Sequence, residues 1–190
     1  MNIPNRLTLL RVLMAPVFLV VLMWDFPYHY AAACGVFALA ALTDFIDGRI
    51  ARKYKLVTNL GKFLDPLADK MLTTAAFLGF LAQERLDVWA VMIVLAREFL
   101  VTSVRLVSAG SGVVIAANFW GKAKTFLQML SIGVMLLALE WECHAAALSP
   151  DSVFVPVLAA QIFIWVSVVL TAVSGAIYFW NYREFFIRDK

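Results

Sequence analysis

The chain has few charged residues and few of the side chains that soluble catalytic or metal-binding domains use. Only 15% of its 190 residues are charged, and it contains two histidines and two cysteines. Soluble domains average about 25% charged residues, so the composition argues against a soluble enzyme, a disordered chain and a nucleic-acid-binding protein. Cys34 and Cys143 are too few and too far apart for a disulfide framework or a zinc site.

Hydrophobic residues are abundant instead, at 63%, and they fall into six long segments. About 20 apolar residues span a bilayer as a helix, which pairs its own backbone polar groups. We expect a shorter stretch, 3–11, to lie in the interface, with Arg11 reaching the lipid headgroups. The sequence therefore predicts a single-domain, all-α integral membrane protein over 1–190, with a short N-terminal interfacial helix and six transmembrane helices. The predicted spans are 12–24, 30–50, 62–81, 88–108, 123–139 and 153–180.

The basic residues are concentrated on one side of this layout. Of the 16 lysines and arginines, only Arg85 falls in a connection on the other side. The positive-inside rule therefore places both termini and the connection between the second and third spans in the cytoplasm.

Four aspartates interrupt the apolar pattern near the cytoplasmic ends of two neighbouring spans. Asp44 and Asp47 lie late in the second span, and Asp65 and Asp69 lie early in the third. Residues three or four apart share a helix face. The connection between the two spans is short, so the helices are antiparallel neighbours and the two acidic faces can meet.

Four crowded carboxylates would repel one another unless a cation neutralises them. Oxygen ligands in this number suit Mg²⁺, Mn²⁺ or Ca²⁺. The alternative is that they are helix-end charges paired with Arg49, Arg52 and Lys70, but intramembrane ionisable residues usually mark a functional site. Gly48 and Gly61 lie beside the aspartates and would let a ligand approach closely, and Arg52 could contact phosphate oxygens.

Residues 44–69 follow the pattern D-x2-D-G-x2-A-R-x8-G-x3-D-x3-D. This pattern resembles the signature of the CDP-alcohol phosphatidyltransferase family at every fixed position, and the six-span layout is also similar to that family. The fixed positions are Asp44, Asp47, Gly48, Ala51, Arg52, Gly61, Asp65 and Asp69.

The resemblance implies a reaction in which a CDP-linked lipid donates its phosphatidyl group to an alcohol and CMP leaves. It also implies two Mg²⁺ or Mn²⁺ ions, a homodimer and, by analogy with bacterial members, the inner membrane with the active site on the cytoplasmic side. Asp69 would also act as the general base, and Gly48, Arg52 and Gly61 would contact the CDP part of the donor. The implied metal ligands are Asp44, Asp47, Asp65 and Asp69.

The acceptor alcohol depends on other residues. The N-terminal stretch 2–11 and four basic residues, Arg97, Arg105, Lys122 and Lys124, resemble the phosphatidylglycerophosphate synthase branch, which uses sn-glycerol 3-phosphate. A phosphorylated acceptor needs cations, and Arg97 and Arg105 lie roughly 80° apart around a helix, so they could face one pocket. Lys122 and Lys124 cannot both point the same way, so at least one is expected to be a membrane-edge charge.

Two kinds of alternative remain open. A sibling enzyme could use inositol phosphate, serine or phosphatidylglycerol as acceptor, although the basic residues count against serine. A divalent-cation transporter could use the aspartates as an ion path, but these cluster at one membrane face with no second cluster to mirror them.

Overall fold

The described part of the chain is helical, as the sequence predicts. The computed structural model describes residues 3–54, 59–110, 119–145 and 150–187, which form six helices and no strand. Each predicted apolar segment falls on one of these helices. They are α1 (Ile3–Met23), α2 (His29–Tyr54), α3 (Asn59–Ala82), α4 (Val88–Gly110), α5 (Phe119–Ala145) and α6 (Pro150–Ile187).

Helix α1 corrects two expectations about the N-terminal segment. Its 21 residues form one helix, so no separate short helix precedes the first span. Thr8, Arg11, Ala15, Phe18 and Leu22 are all buried, and they recur every three or four residues on one helix face. Arg11 belongs to this inward face and is only 2% exposed, so it does not extend to lipid headgroups.

The helices pack as a closed ring whose order differs from the order in the chain. Helix α1 packs against α2 and α3, α2 against α5, α5 against α6, α6 against α4, and α4 against α3. Aromatic and aliphatic side chains such as Phe18, Phe77, Phe80, Ile132 and Met135 fill the interior. The ring therefore places α6 beside α4, although α5 lies between these two helices in the sequence.

One end of the bundle gathers the turns that the charge pattern predicts on a common side. The guanidinium of Arg85, in the α3–α4 turn, pairs with Glu142 near the end of α5 at 2.9 Å. The backbone N–H of Ala31, in the first turn of α2, donates to Glu140 Oε2 at 2.8 Å. These contacts tie the α1–α2 turn, the α3–α4 turn and the end of α5 together.

The described surface is rich in large apolar side chains, whereas several polar ones lie inside. Leu13, Phe126 and Val155 are each more than half exposed, while Ser131 and Thr171 are fully buried. Two stretches, Ala123–Ala145 and Val153–Asn181, are long and apolar enough to cross a membrane. Within the described residues, the apolar stretches of α1, α2 and α3 are shorter, so this criterion identifies two of the six predicted spans.

Candidate active site

The four signature aspartates lie on the two helices that the sequence predicts. Asp44 and Asp47 belong to α2, and Asp65 and Asp69 belong to α3, so that each pair shares a helix face by its spacing. The two helices contact each other. The side chains of these four aspartates, and the surroundings of Gly48, Arg52, Gly61 and Lys122, lie outside the part of the chain that the structure describes.

A cavity of about 530 Å³ lies between α3, α4 and α5. Its lining begins on α3 at Lys70, one residue past the last signature aspartate, and includes Arg97 and Arg105 from α4 and Lys124 from α5. Glu98 is the only carboxylate among the described lining residues. Among the described lining residues, four cations face one carboxylate, and such a positively charged lining suits a phosphorylated ligand.

Two of these cations, Lys124 and Arg97, contact the carboxylate of Glu98. Lys124 Nζ donates to Glu98 Oε1, and the guanidinium of Arg97 contacts the same oxygen at 3.3 Å. Lys70 Nζ donates to the backbone carbonyl of Glu98 at 3.5 Å. Lys124 is only 3% exposed, and a buried ammonium without a counter-ion would be strongly destabilising. Glu98 therefore holds Lys124 and Arg97 at the cavity wall.

Arg97 is also held from α6. Its Nε donates to Ser174 Oγ at 3.3 Å. A Cβ built on the next residue, Gly175, would lie 2.8 Å from Arg97 Cγ, closer than two carbon atoms normally approach. Because glycine has no side chain, Gly175 leaves space for the side chain of Arg97.

Arg105 has the least constrained guanidinium in the cavity wall. Its Cζ lies 5.8 Å from the centre of the Tyr178 ring, a cation–π distance. Its buried Nε has no hydrogen-bond partner within the described ranges. Arg105 can therefore donate to a ligand without first breaking an ion pair with another described residue.

The structure brings together three of the four basic residues singled out for the acceptor, and it adds residues that the sequence interpretation missed. Glu98, Gln128 and the α6 pair Ser174 and Gly175 were not assigned to a site. Glu98 carried the stronger signal, because it is an ionisable residue inside an apolar helix. The signal of Gln128, Ser174 and Gly175 was weak, since polar or small residues inside apolar helices also serve helix packing.

Residues 1–173 match the protein family described as CDP-alcohol phosphatidyltransferase. The chain belongs to this family. It is 39% identical, over 191 residues, to the CDP-diacylglycerol--glycerol-3-phosphate 3-phosphatidyltransferase of Bacillus subtilis (strain 168), covering 94% of this chain and 93% of the relative. It is 34% identical, over 185 residues, to the protein of the same name in Rickettsia bellii (strain RML369-C), covering 97% of both chains.

Family membership identifies the chain as a phosphatidyltransferase, and the match covers both the signature helices and the cationic cavity. Ser174, Gly175 and Tyr178 lie just beyond the matched range. The phosphatidyltransferase match therefore includes the cations of the cavity, and α6 supplies the contacts that hold Arg97 and Arg105 in place.

Proposed function

We propose that this phosphatidyltransferase transfers the phosphatidyl group of CDP-diacylglycerol to sn-glycerol 3-phosphate and releases CMP. The observation that carries the proposal is the cavity in which Arg97, Arg105 and Lys124 meet beside α3. A dianionic acceptor requires such a group of cations, whereas serine does not. The names of the relatives in Bacillus subtilis and Rickettsia bellii support the same donor and acceptor.

The aspartates of α2 and α3 are the proposed metal ligands. Carboxylate oxygens are the ligands that Mg²⁺ and Mn²⁺ prefer. Helix α2 is continuous through Asp44 and Asp47, and α3 is continuous through Asp65 and Asp69. This supports a common helix face for the two aspartates of each pair. When bound, two such ions would neutralise the diphosphate of the donor and stabilise the attacking and leaving oxygens.

The protein's own groups then act on the two substrates. We assign the acceptor phosphate to Arg97, Arg105 and Lys124, and the CDP part of the donor to Gly48, Arg52 and Gly61. Asp69 takes the proton of the acceptor hydroxyl, whose oxygen attacks the phosphorus of the phosphatidyl group. The bond from that phosphorus to the oxygen of CMP breaks, and CMP leaves with the electron pair.

The cavity and Asp69 adjoin each other in the chain, because Lys70 lines the cavity directly after Asp69. We assign to the acceptor a pose in which the cations hold its phosphate and its hydroxyl lies toward the start of α3. This arrangement supports a single transfer step without a covalent enzyme intermediate, in which the cations orient the acceptor before the proton is removed.

We further propose that all six helices cross the bacterial inner membrane, with both termini and the active site on the cytoplasmic side, and that the protein forms a homodimer. Two membrane-capable helices and the exposed apolar side chains support membrane insertion. The positive-inside distribution of lysine and arginine supports the orientation.

Release of CMP tests the proposal. Purified protein in detergent micelles with CDP-diacylglycerol should release CMP only when glycerol 3-phosphate and Mg²⁺ or Mn²⁺ are both present. Chelation of the metal should lower the rate by at least about a hundredfold, because the donor diphosphate would lose its neutralising charge. Folded protein that releases no CMP with any acceptor would contradict the proposal and favour cation binding or transport.

A further inference from the structure

Gln128 places a neutral amide in the wall of the cationic cavity. It lies one helical turn after Lys124 and two turns after Gly121 on α5, and all three residues line the cavity. Only 2% of Gln128 is exposed. The hydroxyl of Ser131 donates to the backbone carbonyl of Gln128 at 2.9 Å and lies 3.3 Å from the hydroxyl of Ser167 on α6. This part of α5 is therefore held against α6.

The amide nitrogen of Gln128 is buried, and it has no hydrogen-bond partner among the residues that the structure describes. Proteins almost always satisfy buried donors with another protein group, an ordered water or a ligand, because an unmade hydrogen bond costs free energy. Gln128 borders a cavity large enough for a small phosphorylated molecule, and a shift of its side chain would bring the buried amide nitrogen to an acceptor oxygen of such a molecule.

The charge distribution of the cavity indicates which oxygen of the ligand would accept the hydrogen bond from Gln128. Arg97, Arg105 and Lys124 provide charged donors for a phosphate. The amide of Gln128 is neutral, and it suits a neutral oxygen such as a hydroxyl. Glycerol 3-phosphate has one hydroxyl that the transfer consumes and a second, on the central carbon, that it does not.

We propose that Gln128 donates a hydrogen bond to this central hydroxyl and is a specificity-determining residue for the acceptor. The inference rests on the proposed function, because it assigns the acceptor to this cavity. A site built to hydrogen-bond a substrate hydroxyl discriminates against an analogue that lacks it. The enzyme would therefore select phosphorylated acceptors with a hydroxyl next to the reacting one.

The test compares glycerol 3-phosphate with propane-1,3-diol monophosphate, which keeps the phosphate and the reacting hydroxyl but lacks the central one. We expect the unmodified enzyme to prefer glycerol 3-phosphate in kcat/KM by about tenfold or more. Gln128→Met has a side chain of similar length without an N–H donor. It should lower kcat/KM for glycerol 3-phosphate by about tenfold and leave that for the analogue within about twofold, so that the preference disappears.

Gln161→Met is the matched control, because Gln161 lies on α6 and lines a different, apolar groove. It should keep the full preference for glycerol 3-phosphate. An unchanged KM for CDP-diacylglycerol in Gln128→Met would indicate an intact fold. If that variant does not fold, Gln128→Asn, whose shorter amide cannot reach as far, should show the same loss of preference.

The outcomes separate the inference from the function on which it rests. A loss of similar size for both acceptors in Gln128→Met, or no preference in the unmodified enzyme, would overturn the role of Gln128 while leaving the transfer reaction intact. No release of CMP by the unmodified enzyme with either acceptor would instead overturn the proposed function.

Discussion

The Asp69→Asn variant is expected to lose turnover by at least about a thousandfold while it still binds the donor. An amide of the same shape cannot take the proton of the acceptor hydroxyl, and it is a poorer metal ligand than a carboxylate. The CDP contacts assigned to Gly48, Arg52 and Gly61 would remain. Rates of CMP release in mixed micelles and calorimetric titration with CDP measure the two effects separately.

Two further variants sharpen this result. Asp87→Asn is the control, since Asp87 accepts a hydrogen bond from the backbone N–H of Trp89 at 2.8 Å in the α3–α4 turn, and asparagine can accept the same bond. It should retain full activity. Asp44→Asn should weaken both the metal dependence and the binding of the donor. Full activity in either Asp44→Asn or Asp69→Asn would refute the two-metal assignment.

The Arg105→Ala variant is expected to raise the KM for glycerol 3-phosphate by roughly thirtyfold, which corresponds to about 2 kcal/mol for a hydrogen bond between charged groups. Arg105 lines the cavity, and its Nε has no partner in the described structure, so its donors are available to the acceptor phosphate. The KM for CDP-diacylglycerol should change by less than about threefold. Initial rates with each substrate varied in turn provide both values.

Arg85→Ala controls for the loss of an arginine as such, because Arg85 pairs with Glu142 at the other end of the bundle. It should leave both KM values unchanged. Equal increases in the two KM values of Arg105→Ala would show that Arg105 supports the fold through its contact with Tyr178 and does not bind the acceptor.

Helix positions are the part of the fold that the sequence predicts well, because a helix in a membrane needs a long apolar run. The burial of Arg11 could not be predicted in the same way. The spacing of Thr8, Arg11 and Ala15 defines a face of α1, but the direction of that face depends on α2 and α3, against which it packs. Considered alone, an arginine at the end of an apolar run is equally compatible with an interfacial position.

The residues of the candidate site can likewise be predicted from the sequence only in part. The resemblance to the family singles out Arg97, Arg105 and Lys124, and the structure places all three on one cavity. Their role as acceptor ligands stays a prediction. The contacts of Ser174 with Arg97 and of Tyr178 with Arg105 depend on the packing of α6 against α4. Local sequence carries no signal for that pairing, since α5 separates the two helices in the chain.

A competition experiment tests the central claim most directly. Purified protein with CDP-diacylglycerol and a divalent metal would receive glycerol 3-phosphate, inositol phosphate and serine together at equal concentrations, and mass spectrometry would identify the lipid product. The cationic cavity predicts phosphatidylglycerophosphate as the dominant product. A product mass corresponding to phosphatidylserine or phosphatidylinositol phosphate would contradict the assignment of the acceptor.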